Sequence, residues 1–169
     1  MKIFRNTALM AICILFFASC GRVTLNFSGA NIGNAQTCQV NFFENRADIV
    51  NPRLSADFTD ALKDKIQSST RLRLVNSDAD VVFEGEITGY TVVSQQVRAD
   101  GMAARDRLTI TVRVRFNNEI DPEMSYDRSF SRFQEYPAGA SLGSVEAQLV
   151  EDILKELMED IFNEAFVSW

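Results

Sequence analysis

The chain predicts an α+β fold, a two-layer α/β sandwich with two helices on one face of a mainly antiparallel four-stranded sheet. Three observations carry that reading. Leu108, Ile110, Val112, Val114 and Phe116 alternate with Thr109, Thr111, Arg113 and Arg115, the two-residue period of a strand with one face in a core and one in water. Leu54, Phe58, Leu62 and Ile66 recur at four-residue spacing, which draws one apolar stripe on a helix. The patterned segments follow the order strand, helix, three strands, helix. Consecutive strands joined by short turns make an antiparallel meander, and two amphipathic helices cover one face of it.

Taken in order, Thr37 to Phe43 reads as the first strand. Asn51-Pro52 reads as a helix start, with Asn51 as cap and Pro52 at the first helical position, where its missing N–H is no loss. The apolar stripe carries that helix to about Ser68, and Leu72 to Val75 is a short extended piece. Val81 to about Val97 is a long strand, with Val81, Phe83 and Ile87 on one face together with Gly85 and Gly89. Two glycines inside a strand mark a bulge or the close approach of another backbone. Asp100-Gly101 turns the chain into the Leu108–Phe116 strand, Asp121-Pro122 makes the next turn, and Ser125 to Tyr136 is a last, less regular strand. After Pro137 and Gly139, Ser144 caps a helix that runs to about Phe166. Its apolar residues come as the pairs Leu149/Val150, Ile153/Leu154, Leu157/Met158 and Ile161/Phe162. A four-residue step drifts by about 40° per turn against a 3.6-residue helix, so the apolar face widens along the helix. That face is either deeply packed or, with Phe166 and Trp169, also meets a partner.

The N-terminus carries a different kind of signal. Lys2 and Arg5 precede an apolar run from Ala8 to Phe17, too short to span a bilayer, and Phe17-Ala18-Ser19-Cys20 follows. That last stretch resembles a bacterial lipobox. The resemblance implies cleavage between Ser19 and Cys20, a diacylglycerol on the Cys20 sulfur and a further acyl chain, such as palmitate, on the freed amine. Each buried methylene contributes about 0.8 kcal/mol, so two or more chains hold a domain firmly on a membrane. The simpler readings are a plain signal peptide that contains a Cys, or a short anchor helix. The domains are then a lipoprotein signal peptide over 1–19 and one sandwich domain over 20–169. No Ser/Gly/Pro-rich tether follows Cys20; Val23-Thr24-Leu25-Asn26-Phe27 alternates almost at once, which places the domain close against a membrane or something embedded in it.

The 169 residues carry a net charge of −6, and removing Lys2 and Arg5 makes the processed chain more acidic still. Nucleic acid is therefore a poor partner, because phosphate backbones are held by basic surfaces. Cys13 leaves with the signal and Cys20 is the acyl acceptor, so Cys38 has no partner for a disulfide and reads as a buried small hydrophobe. The sequence has no His, which removes the commonest general base and the commonest zinc ligand. It also lacks a Gly-x-Ser-x-Gly elbow, a phosphate loop and a CxxC pair. Glu84 and Glu86 share a strand face as an acid and base would, but such a pair is ordinarily a solvated face, here matched across strands by Arg113 and Arg115. Asp78 and Asp80 read as a turn before a strand. No catalytic residue, metal or cofactor is expected.

Several segments together resemble one family, the lipopolysaccharide-assembly lipoprotein LptE. They are Phe83 to Tyr90, Arg107 to Phe116 and Ser129 to Tyr136, with Asn51-Pro52 and its helix, and the acidic last helix ending Asn163-Glu164-Ala165 and Trp169. The resemblance covers nearly the whole processed chain, and its motifs are structural. It implies an α/β sandwich that is lipid-anchored to the inner leaflet of the outer membrane. It also implies a place inside the large β-barrel LptD, help in assembling that barrel, and a share in delivering lipopolysaccharide to the outer leaflet. Gly21-Arg22-Val23 lacks an acidic surface-export cluster, which favours the periplasmic side.

Beyond the signal, the basic residues are Arg except for Lys63, Lys65 and Lys155. An Arg fork holds phosphate with two parallel bonds, which Lys does not. Segment 97–117 carries Arg98, Arg105, Arg107, Arg113 and Arg115 against Asp100 and Asp106. Either the loop Arg98–Arg107 reaches the lumen of a barrel, where Arg98, Arg105 and Arg107 meet the phosphates of lipid A, or these arginines make surface ion pairs worth about 0–1 kcal/mol each. Two other functions stay open beside the barrel plug: a periplasmic lipid-binding carrier on the same anchor, which needs an enclosed apolar pocket, and a lipid-anchored enzyme, which the missing motifs oppose.

Overall fold

The computed structural model describes residues 30–49, 51–95 and 104–167. Its elements are β1 (Thr37–Val40), β2 (Glu44–Asn45), α1 (Leu54–Ser69), β3 (Arg73–Leu74), β4 (Val81–Gln95), β5 (Arg105–Asn118), a 3-10 turn (Pro122–Met124), β6 (Tyr126–Pro137) and α2 (Leu142–Phe166).

The meander is present: β4, β5 and β6 pair antiparallel over nearly their full lengths. The rest of the sheet corrects the expectation of four antiparallel strands. It is a six-stranded mixed sheet in the order β3-β1-β4-β5-β6, with β2 also beside β4, and β1, β2 and β3 enter it parallel. The reason is the connection through α1. A helix returns the chain to the end from which it left, so the strand after it runs parallel to the strand before it. A two-residue strand such as β2, bonded to Glu86 and Ile87, is too short to leave a period in the sequence.

The core lies between the sheet and both helices. Leu108, Ile110, Val112, Val114 and Phe116 are fully buried on the helix side of β5, while Arg113 and Arg115 stand exposed on the other face. Leu54, Phe58, Leu62 and Ile66 of α1 are buried, as are all four apolar pairs of α2 together with Ala165 and Phe166. The wide face of α2 is used because it meets both the sheet and the neighbouring helix. Phe166 rests on Phe83 and Phe116, with ring centroids at 6.0 and 5.7 Å. The packed reading of that helix therefore holds for Phe166, and Trp169 lies outside the described residues. The two helices run parallel: Asn51 bonds Glu146 at one end, and Lys65 bonds Glu159 further along. Among the described residues no helix is long and apolar enough to cross a membrane.

Both helix starts differ from expectation by a few residues. α1 begins at Leu54, with Arg53 in the cap position. Asn51 instead accepts the Arg53 N–H on its side chain and the Leu54 N–H on its carbonyl, so Asn51-Pro52 is the turn that leads into the helix. α2 begins at Leu142 after Ser141, and Ser144 sits inside the first turn, where its hydroxyl donates to the Ser141 carbonyl at 2.6 Å.

The two glycines of β4 separate into two devices. Gly85 is the close approach: a Cβ there would lie 2.0 Å from the Arg113 carbonyl oxygen. Gly89 follows a bulge, since the register steps from Ile87↔Val112 to Gly89↔Thr111 and leaves Thr88 over. The extra residue reverses the alternation. Gly89 therefore lies beside Thr111 on the open face, not with Gly85, and Tyr90 takes the helix side opposite Ile110. The irregular pattern of β6 has a different origin. Its register with β5 is unbroken. Its inward positions carry Arg128, Arg132 and Gln134, which reach past the sheet edge to Glu164, Asp160 and Glu156 of α2.

Candidate functional site

The helices cover one face of the sheet and leave the other open, and the arginines of segment 97–117 that the structure describes belong to that open face. β5 is the reason: Arg105, Arg107, Arg113 and Arg115 occupy alternate positions of one strand and so share a side. They fall at two ends of it. Arg113 and Arg115 lie at the end nearer β2, where cross-strand carboxylates neutralise them. Arg113 grips Asp127 with two bonds of 2.8 Å each, and Arg115 bonds Glu84 at 2.9 Å. The hydrogen bond from Arg113 holds the Asp127 carboxyl below the usual range, and Asp127 and Glu84 raise their arginine partners in return. Glu84 is thus ion-paired with Arg115, while Glu86 lies in register opposite Arg113 and acts on it through its charge. Both glutamates line a groove of about 380 Å³ with Phe42, Arg113, Arg115 and Asp127.

Arg105 and Arg107 lie at the far end, where β4 and β5 run toward the segment that joins them. Arg105 opens β5, exposed, in register with Gln95 on one side and Pro137 on the other. Arg107 sits between Val93 and Glu135. It bonds Glu135 at 2.6 Å and stacks its guanidinium over the Phe133 ring at 3.9 Å from the centroid. That stacking holds the fork flat against the sheet. Arg98 and Cys20 lie outside the described residues. The structure therefore brings Arg105 and Arg107 to one end of one face, and shows Arg107 already engaged with a carboxylate.

Sequence reasoning did not find Glu135 and Phe133 as the neighbours of Arg107. The register of β6 on β5 brings them together, and the irregular pattern of β6 carries no signal of it. It also missed the work of Asp80. This carboxylate accepts the N–H groups of Gln36 and Thr37 at 2.8 and 2.9 Å and the Thr37 hydroxyl at 2.9 Å. Those bonds hold its pKa below the usual value and tie the start of β1 to the start of β4. Asp78 makes the preceding turn at φ 53°, a conformation Asp tolerates better than most residues. Cys38 is fully buried, and burial pushes its thiol pKa up to about 12. No cluster of three or more metal-ligating side chains is present among the described residues.

Two further hollows are surface grooves as well: one, of about 580 Å³, lies beside Gln36 and Arg73, and another, of about 500 Å³, lies between α1 and α2 with Asp57, Asp64, Glu151 and Met158 on its walls. The interior between sheet and helices is occupied by side chains, many of them fully buried.

Comparison with known proteins adds three findings. The family model described as "LptE: Lipopolysaccharide-assembly" matches residues 35–165. A minor lipoprotein from Acinetobacter baumannii superposes with a TM-score of 0.50 at 15% identity, covering 79% of this chain and 97% of that one. A hypothetical protein from Chlamydia trachomatis does so with a TM-score of 0.53 at 11% identity, covering 78% and 98%. At such identities the likeness concerns the fold alone. No curated protein matches.

Proposed function

The chain belongs to the LptE family of lipopolysaccharide-assembly proteins, and from that premise we propose that it is an outer-membrane lipoprotein anchored through Cys20 on the periplasmic side. In this reading it plugs an LptD-like β-barrel, helps it assemble, and forms with it the translocon that inserts lipopolysaccharide into the outer leaflet. It acts by filling and contacting, as a non-enzymatic component.

The observation that carries the proposal is the family match across the whole described sandwich. The dimensions support it. The described chain begins beside the C-terminal end of α2, where the Asn31 N–H bonds the Phe166 carbonyl and Phe166 rests on Phe83. β4 then runs from Phe83 to Gln95, which at about 3.3 Å per residue is roughly 40 Å. A bilayer with its headgroups is about 40–45 Å thick. Arg105 and Arg107 lie at the far end of that length, and in this reading they meet lipid A phosphates on the way out. The filled core favours a plug over a periplasmic lipid-binding carrier, whose cargo needs an enclosed apolar cavity.

The test is crosslinking of the acylated protein in its native membrane. Recovery of a large outer-membrane β-barrel is expected. Recovery of only the protein itself, or of soluble periplasmic proteins, overturns the proposal, as does an unmodified thiol at Cys20 in the mass of the native product.

A further inference from the structure

Among the described residues the sheet has two long exposed edges, and they are built differently. Edge strands expose unpaired N–H and C=O groups, and proteins blunt them with charge, proline or cover. β6 is blunted throughout. It carries Asp127, Arg128, Arg132 and Glu135 and ends on Pro137, and its arginines are tied to α2. The other edge is β4 beyond the bulge. β2 covers it as far as Ile87, whose carbonyl accepts the Arg46 N–H. Among the described residues no strand pairs with that side of Gly89–Gln95. This stretch holds no charged residue and no proline, and Thr91, Val92, Val93 and Ser94 are all exposed. Val92 points to the helix side opposite the fully buried Leu108, yet is 36% exposed, and Val93 on the open face is 55% exposed. Tyr90, bonded to Glu146 at 2.5 Å, fixes the inner end of the stretch. The open edge is about 20 Å long, the length of an ordinary strand.

We infer that the Gly89–Gln95 edge of β4 receives an extended, uncharged segment of a partner polypeptide as an added strand. Main-chain bonds supply the pairing, and apolar residues at neighbouring positions of the segment cover Val92 on one face and Val93 on the other. A second copy of this chain is a poor occupant. Edge-to-edge pairing would bury a strip about 20 Å long and about 10 Å thick, well short of the roughly 1,200 Å² of a stable specific interface. The occupant therefore belongs to a larger partner that also covers the adjoining open face, where Phe133 is 46% exposed. A closed barrel wall offers no free strand edge, so the segment is a loop or terminal stretch. The inference stands apart from the identity of the barrel.

The test compares full-length acylated protein, purified in detergent, with the same protein in its native membrane. Hydrogen exchange reads the amides of Thr91–Ser94, and a photo-crosslinking residue replaces Val93, with Ser129 on the open face as control position. Strand addition slows alternate amides of this stretch at least tenfold in the membrane, and the Val93 adduct maps to an uncharged segment of another polypeptide. The V92K/V93K variant loses the alternate slowing, and V92K combined with the crosslinking residue at 93 loses the adduct, each with its unfolding temperature close to wild type, since Val92 and Val93 are 36% and 55% exposed. Equal exchange in the two preparations, slowing without alternation, or an adduct only to lipid or to a second copy overturns the inference.

Discussion

Replacing Gly85 by Ala tests whether β4 and β5 are held at the separation the structure gives. The added Cβ would lie 2.0 Å from the Arg113 carbonyl oxygen and 2.7 Å from Cε1 of the Phe43 ring. Phe43 is fully buried against Phe58, with ring centroids at 4.8 Å, so its ring has nowhere to go, and the carbonyl is backbone of the central strand. β4 must draw back by about 1 Å, a displacement of the overpacking kind that typically costs 1–3 kcal/mol. Weakening one or two ladder bonds adds about 1 kcal/mol each. The sum is about 3 kcal/mol, or a drop of about 6–12 °C in unfolding temperature for a chain of this size. Gly89→Ala is the control. Its Cβ would meet only the Thr111 side chain, at 3.2 and 3.3 Å, and the stiffer unfolded chain returns about 0.4–1 kcal/mol, so its stability should stay within about 1 kcal/mol of wild type. Both are read by thermal and urea unfolding followed by circular dichroism. A Gly85→Ala protein that melts within 2 °C of wild type would refute the reasoning, as would equal losses at the two glycines.

Three further outcomes are expected. The Asp80 carboxyl is held below its unfolded value, first by the Gln36 N–H. Its stabilisation is therefore complete above the unfolded carboxylate pKa of about 3.9 and is lost as pH falls through the lower folded value. Asp80→Asn should flatten the acid limb of unfolding temperature against pH between about 5 and 2, and an unchanged limb would remove this clip from the account. Cys38, buried and with its thiol pKa pushed up to about 12, should resist a thiol reagent in the native protein at pH 8 and react fully in denaturant; rapid native labelling would contradict its place in the core. Replacing Arg98, Arg105 and Arg107 together by Glu should weaken lipopolysaccharide retention in a pull-down at least tenfold, since one charged hydrogen bond is worth about 1.5–3 kcal/mol. The domain should stay folded, because the Arg107–Glu135 pair it breaks is partly exposed and such pairs contribute about 0–1 kcal/mol. Unchanged retention would take these arginines out of the proposed function.

The elements with a strong period were legible in the sequence. β5 and the apolar stripes of both helices form where their alternation and four-residue spacing put them, since burial of an apolar face is the dominant local demand. Gly85 and Gly89 correctly announced trouble inside β4, but not that one marks a contact and the other follows a bulge. That distinction lies in the partner strand. The cap positions slipped because Asn51 accepts the Arg53 and Leu54 N–H groups in a turn ahead of the helix, and Ser144 donates back to Ser141 from inside the first helical turn.

At the open face, the sequence placed Arg113 and Arg115 on one side of one strand and foresaw carboxylates opposite them, but left Arg105 and Arg107 in a loop; β5 reaches back to Arg105 because its pairing with β4 and β6 continues that far. The sequence could not choose between phosphate binding and ion pairing for Arg107, because Glu135 and Phe133 arrive from a strand almost thirty residues away, through register. By itself the sequence determined the strongly patterned elements and the acidic balance, both of them set by residues that are neighbours along the backbone. Tertiary structure alone decided the parallel half of the sheet, the neutral edge of β4 and the partners of each arginine. Those depend on which strands lie side by side, a choice made by the path through α1 and by the packing of the whole core.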